Sequence, residues 1–380
     1  MSPALQRAPI QNPKSKIQNF FLAAVLCLLL PAPSLAGRPA SDRRGTTGLV
    51  QALQKLPVVV SLLNIGAHPD DENSGLLAYT SRGLMARTAY LSVDRGEGGQ
   101  NLIGPELYDG IGIIRTEELL AARQLDGAEQ FFTRAYDFGF SKQASEAMEL
   151  WGHEETLADI VRVIRMFRPD VIVSVFAGAP EDGHGQHQAA GLLAREAFRA
   201  AADPNRFPDQ IAAGLRPWQA KKLYINNTRA SFPSLATLRV NVGEYSPVLG
   251  RSYLEVGLES RSMHRSQDMG AVQRKGPAWT ELKLVETIPP MQDTRIMDGT
   301  GVRIPQIAPR WPTLADSSLF DGLDTTIMRL ARIVEQDSLW APFLRPDLTQ
   351  IDRAARDALA AYRPSDPTVV LPVTLDGLTV

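Results

Sequence analysis

Cysteine is almost absent: the one such residue among 380, Cys27, lies inside a short apolar run near the N-terminus. Disulfides and thiolate metal ligands are thereby excluded from the rest of the chain. Histidine is scarce as well, at five residues, so the pair His184 and His187 stands out. Neither sign of charge dominates. The formal net charge is −2 with no basic block, which argues against nucleic acid as a partner. Several motifs are also missing. There is no GxSxG elbow and no phosphate-loop GK[ST], and Asn101 stands where a dinucleotide fingerprint over 96–101 needs its third glycine. His153-Glu154-Glu155-Thr156-Leu157 begins like HExxH but lacks the second histidine. No internal repeat and no low-complexity tract is visible.

Long apolar runs are lacking too. The most apolar stretch, residues 20–30, falls short of the about 20 residues a spanning helix needs. Arg7, Lys14 and Lys16 precede it, no acidic residue occurs before Asp42, Pro31 and Pro33 break it, and Ser34-Leu35-Ala36 supplies small residues. That order predicts a signal peptide over 1–36, a secreted or periplasmic destination, and no transmembrane segment once it is removed. A signal anchor fits the same run less well by length. Residues 37–57 read as a polar linker and lead-in.

What is present is an alternation of apolar strands and amphipathic helices. Residues 61–67 (SLLNIGA), 86–93 (ARTAYLSV), 171–176 (VIVSVF) and 222–226 read as strands. Residues 115–125, 153–167 and 186–202 carry helical spacing. The pattern predicts an α/β fold with a largely parallel sheet flanked by helices. Past residue 287 the character changes: Pro289-Pro290, Pro305, Pro309 and Pro312 mark an extended connection. Helical patterns follow at 319–336 and 348–362, then a strand-like stretch at 368–375. The predicted layout is therefore a domain over 58–287 and a C-terminal extension over 288–380, with an end at Val380 that suits a fragment.

Two polar clusters carry chemistry. Ala67-His68-Pro69-Asp70-Asp71-Glu72 follows the first strand. An imidazole and a carboxylate three residues apart can reach one cation across a turn, and both are ordinary zinc donors. Asp70 between them would then stand beside the metal's open position. A turn whose aspartates cap the next helix fits the same residues. The second cluster, Glu181-Asp182-Gly183-His184-Gly185-Gln186-His187, follows the 171–176 strand and opens a helix. Taken alone it also suits a polar loop with His187 on a helix surface. Both clusters fall at strand carboxyl ends, where such sheets bind ligands, and together they favour a metal site.

At these residues the chain resembles the PIG-L or LmbE-like zinc N-deacetylases, whose signature pairs AHPDDE with a later HxxH-type motif. The likeness covers most of 58–285, and a longer secreted bacterial subgroup is similar. It implies a Rossmann-like sheet and a zinc-dependent hydrolase that removes an N-acetyl group from an amino-sugar-containing substrate. It also implies zinc at His68, Asp71 and His187, Asp70 as general base, and His184 beside the tetrahedral intermediate. Weaker likenesses place Glu97 (in Gly96-Glu97-Gly98-Gly99), Arg115, Asp137 and His264 (in His264-Arg265-Ser266-Gln267) against substrate. A glycine-rich turn, a solvated charge pair and helix packing suit Glu97, Arg115 and His264 equally. Two histidines and a carboxylate also suit iron(II). The family's HPDH is here His184-Gly185-Gln186-His187, which raises the question of whether Asp182 replaces the missing aspartate. Two other functions fit the pattern: a zinc amidase acting on a bulkier amino-sugar conjugate, and a non-catalytic sugar-binding protein. The intact Asp70 speaks against the latter.

Overall fold

The computed structural model describes residues 45–226 and 236–303, apart from Ala271 and Gln292, with isolated positions between 325 and 353. The expected signal segment and most of the expected C-terminal elements lie outside the described residues. Helix α1 (Gly45–Lys55) occupies much of the expected lead-in. Strand β1 (Ser61–Gly66) is buried along its whole length, as its unbroken apolar run requires of a central parallel strand. The short helix α2 (Ser74–Ala78) is started by Asn73, whose side chain accepts the Leu76 N–H, and runs on into a wide turn, Tyr79–Gly83.

Strand β2 (Arg87–Ser92) leads through a long loop to α3 (Asp109–Asp126), which Gly127 ends in the left-handed conformation. Then come β3 (Glu129–Phe132), α4 (Ala144–Trp151), α5 (His153–Phe167) and β4 (Val171–Ser174). A 3₁₀ turn, Pro180–Asp182, precedes α6 (Gly185–Ala200), followed by α7 (Pro208–Ala212) and β5 (Lys222–Asn226). Strand β6 (Leu238–Asn241) and a small hairpin of β7 (Tyr245–Ser246) and β8 (Arg251–Ser252) lead into α8 (Tyr253–Arg261). Ser252 and Glu255 form a capping box at the start of α8. Strand β9 (Trp279–Thr287) closes the sheet.

The seven-stranded sheet runs β3-β2-β1-β4-β5-β9-β6. Strands β1 to β5 are mutually parallel; β9 lies antiparallel between β5 and β6. Side chains alternate across it. Leu63, Ile65, Leu91 and Ile172 pack against Ile160, Ile164, Leu193 and Phe198 on one face. Leu62, Val171, Val173 and Tyr224 pack with Leu76, Val240 and Leu282 on the other. Helix α8 crosses α2 at two glycines: a Cβ on Gly257 would lie 2.7 Å from the Gly75 Cα. The chain leaves β1 toward β2 and places β4 on the other side of β1, so a crevice opens at the carboxyl ends of β1 and β4.

Several expectations need correction. The helix expected at 115–125 begins at Asp109. The strand expected to reach 176 ends at Ser174, although the Val175 N–H still donates to the Ile65 carbonyl (2.8 Å). The boundary at 287 does not divide two packing units. Ile296 and Met297 join the core under β4 and β5, and the Val59 N–H donates to the Val302 carbonyl. Buried Lys222 donates from Nζ to the Arg295 carbonyl, holding the 293–303 segment against β5.

Candidate metal and catalytic site

The loop after β1 folds back on itself so that His68 and Asp71 face one point. Asp71 Oδ2 accepts the N–H groups of Ala67 (3.0 Å) and His68 (2.7 Å), which fixes the carboxylate. It also lies 3.3 Å from His68 Nδ1, while Asp71 Oδ1 lies 3.4 Å from His187 Nε2. Tetrahedral ligands bonded at about 2.1 Å stand about 3.4 Å apart, so these separations suit donors to one ion. Helix α6 brings His187 there from its first turn. Phe176 stacks on the His187 ring at 3.9 Å, and its Nδ1–H donates to the Asp182 carbonyl (2.9 Å). That hydrogen bond leaves the Nε2 lone pair facing Asp71.

His184 completes a group of three imidazoles: ring nitrogens of His68, His184 and His187 lie within 4.8 Å of one another. Its Nδ1 pairs with Gln186 Oε1 at 2.8 Å, and the same oxygen accepts the Ser141 hydroxyl (2.8 Å). The Gln186 amide donates in turn to the Gly139 carbonyl. An amide oxygen can only accept, so neutral His184 carries its proton on Nδ1 and presents Nε2 as an acceptor. Burial, with the neighbouring His187 and His68, lowers its pKa to about 4. Asp182 does not take the place of the family's aspartate. Its carboxylate accepts the N–H groups of Ala177, Gly178 and Ala179 and shapes the turn before α6.

The donors fit a divalent cation. Burial alone would push His68 down, but Asp94, Asp71 and Asp137 outweigh it and raise the imidazole to about 10. Asp94 was not singled out in the sequence. Its Oδ2 is buried without a hydrogen-bond partner, 3.6 Å from His68 Nε2. Asp70 sits at the edge of this group in the left-handed half of backbone space, with φ 119°. Burial, followed by the Asp71 charge, raises its carboxyl to about 6, within the range a general base needs at neutral pH.

A cavity of about 760 Å³ opens beside the loop, with Asp70 and Asp71 in its wall. Its wall also includes residues that carried no motif: Asn226 at the end of β5, Trp279 and Lys283 on β9, and Arg261 on α8. Asn226 is buried, and its Oδ1 has no hydrogen-bond partner among the described residues. The residues expected against substrate lie elsewhere. Glu97 accepts the Asp137 N–H (3.1 Å), and the Asp137 carboxylate belongs to a group with Asp94 and His68 on the other side of that ring. Gly98 is required there, because a Cβ would lie 2.2 Å from the Gly139 nitrogen. Arg115 is buried beneath this glycine turn and donates to the Gln100 carbonyl (2.9 Å). His264 is fully buried behind the loop, hydrogen-bonded to Glu72 at 2.7 Å, and lines no part of the cavity.

With this geometry in place, residues 63–198 match the family described as PIG-L, GlcNAc-PI de-N-acetylase. A 1D-myo-inositol 2-acetamido-2-deoxy-alpha-D-glucopyranoside deacetylase from Streptomyces scabiei is 32% identical over 186 residues, covering 43% of this chain and 55% of the relative. A mycothiol S-conjugate amidase from Streptomyces coelicolor is 27% identical over 184 residues, 43% of this chain and 60% of the relative. The chain thus spans about half the length of the curated relatives it matches. Among solved structures, an N,N'-diacetylchitobiose deacetylase from Pyrococcus horikoshii aligns with a TM-score of 0.44 at 19% identity, over 68% of this chain and 81% of that one.

Proposed function

We propose that this chain hydrolyses the acetamide of an N-acetyl amino-sugar substrate, using one divalent metal, zinc, at His68, Asp71 and His187. The observation that carries this reading is the placement of Asp70. Its carboxyl, held near 6, stands in the cavity wall directly beside the metal donors. A sugar-binding protein has no use for such a group. A bound divalent metal supplies positive charge to the amide carbonyl and brings the pKa of a water toward about 7.

Asp70 takes the proton of the attacking water and returns it to the departing amine, a contribution typically worth about 10²- to 10⁴-fold. His184 stands beside the carbonyl carbon as it becomes tetrahedral. It arrives there neutral, and can donate from Nε2 only after taking up a proton. The cavity wall at Asn226 and Trp279 offers surface for sugar hydroxyls. The relative from Streptomyces scabiei is named for an acetamido sugar, which supports the substrate class.

The test is acetate release from a panel of N-acetylated sugars and from bulkier acyl amides, together with elemental analysis. Wild type is expected to hold one metal per chain and to prefer the acetamides. His187→Ala is expected to lose most of the metal while remaining folded. Unchanged metal content in that variant would exclude the ligand set.

A further inference from the structure

The three carbonyls at the heart of the site, those of His68, Pro69 and Asp70, are each held by a side chain from outside the loop. The Tyr90 hydroxyl on β2 donates to the His68 carbonyl (2.6 Å). Gln267 Nε2 donates to the Pro69 carbonyl (2.8 Å), and Arg261 Nη1 donates to the Asp70 carbonyl (2.8 Å). On the other side of its peptide, the Asp70 N–H donates to Glu72 Oε2 (3.1 Å). Glu72 is itself fixed, since its Oε1 accepts from His264 Nε2 (2.7 Å) and from Arg123 Nη2 (3.1 Å). Burial alone would raise the Glu72 carboxyl, but His264 and Arg123 outweigh it.

Three of these contacts come from one stretch of seven residues, Arg261, His264 and Gln267. That stretch is anchored independently of the loop. The Ser266 N–H and hydroxyl both donate to the Glu118 carboxylate on α3, at 2.6 and 2.7 Å. Asp70 needs such a frame. At φ 119° an L-residue is strained and keeps that conformation only where its surroundings over-determine it.

We propose that residues 261–267 form a brace that holds the 68–70 loop from behind and thereby sets where the Asp70 carboxylate points. The loop carries a metal donor at each end, His68 and Asp71, and both have their own fixings through Tyr90 and the Ala67 and His68 N–H groups. Gln267 meets the loop between those donors, at the Pro69 carbonyl, and His264 meets it through Glu72, whose Oε2 accepts the Asp70 N–H. Gln267 and His264 are positioning residues: neither lines the cavity, so they act on the reaction through the loop they hold. The catalytic part of this inference rests on the proposed hydrolase reading.

The experiment uses the zinc-loaded full chain with N,N'-diacetylchitobiose as probe, and compares Gln267→Leu, Asp70→Asn and the double variant. Gln267→Leu is expected to lower kcat about tenfold or more, the scale of a misplaced reacting group, with KM within about twofold and metal content unchanged. In the Asp70→Asn background the same change is expected to cost less than about twofold, because no base remains to be misplaced. Backbone amide exchange in a peptide covering 66–73 is expected to speed up in Gln267→Leu. An unchanged kcat, or an equal loss in both backgrounds, overturns the brace. Should the wild type release no acetate from any substrate, the hydrolase reading fails. The exchange measurement then decides alone, with unchanged exchange in the 66–73 peptide overturning the brace.

Discussion

A glutamine cannot lend an imidazole negative charge, and Gln186 is the acceptor His184 has. The low pKa of His184, about 4, follows from burial and two neighbouring imidazoles with no carboxylate to oppose them at Nδ1. Gln186→Asp is therefore expected to raise it by about one unit or more. A raised pKa keeps the protonated form present to higher pH, so the alkaline limb of kcat is expected to move up in that variant if His184 donates in the rate-limiting step. With only five histidines in the chain, the ring can be followed directly by NMR. An unshifted His184 resonance profile in Gln186→Asp would contradict the account of its environment. That His184, His187, His68, Asp70 and Asp71 converge was legible from two short motifs at strand ends. The fate of Asp182 was not, because a carboxylate near a histidine in sequence gives no sign that three backbone N–H groups already claim it.

At the scale of elements, α5 shows both what periodicity reveals and what it hides. Leu157, Ile160, Val161 and Ile164 were expected at core spacing and are fully buried. Arg165, one position on, is fully buried too, and nothing in an amphipathic pattern announces a buried cation. Its guanidinium donates to the carbonyls of Ala200, Ala201, Asp203 and Arg206 and to Gln210 Oε1. It thus terminates α6, the helix whose first turn carries His187. Arg165→Met leaves those carbonyls unpaired and is expected to cost about 3 kcal/mol. Denaturant unfolding should show that loss while metal content per folded chain stays the same. A change below about 1 kcal/mol would mean that water satisfies the carbonyls equally well. Strands β3, β6 and β9 escaped the sequence for a related reason. Each is short, or exposes one side, so its apolar positions are too few to stand out.

The whole molecule differs most from expectation at its C-terminal side. Prolines at 289 and 290 suggested a boundary, yet Ile296, Met297 and Val302 return to the core beneath the sheet. A chain ending at Thr287 is accordingly expected to be less stable than one ending at Arg303 by about 4 kcal/mol or more, the scale of burying two large apolar side chains. Equal thermal midpoints for the two would place the boundary where the prolines suggested. The same packing supports the site, because β5 and β9 supply part of the cavity wall and lean on the returning segment. The central claim, however, concerns one carboxylate, and the most direct test is the rate of acetate release by zinc-loaded Asp70→Asn per bound metal. The account predicts about one metal per chain, as in wild type, and a kcat lower by about 10²-fold or more. A variant that keeps the wild-type rate, or that loses its metal as Asp71→Asn is expected to, would contradict it.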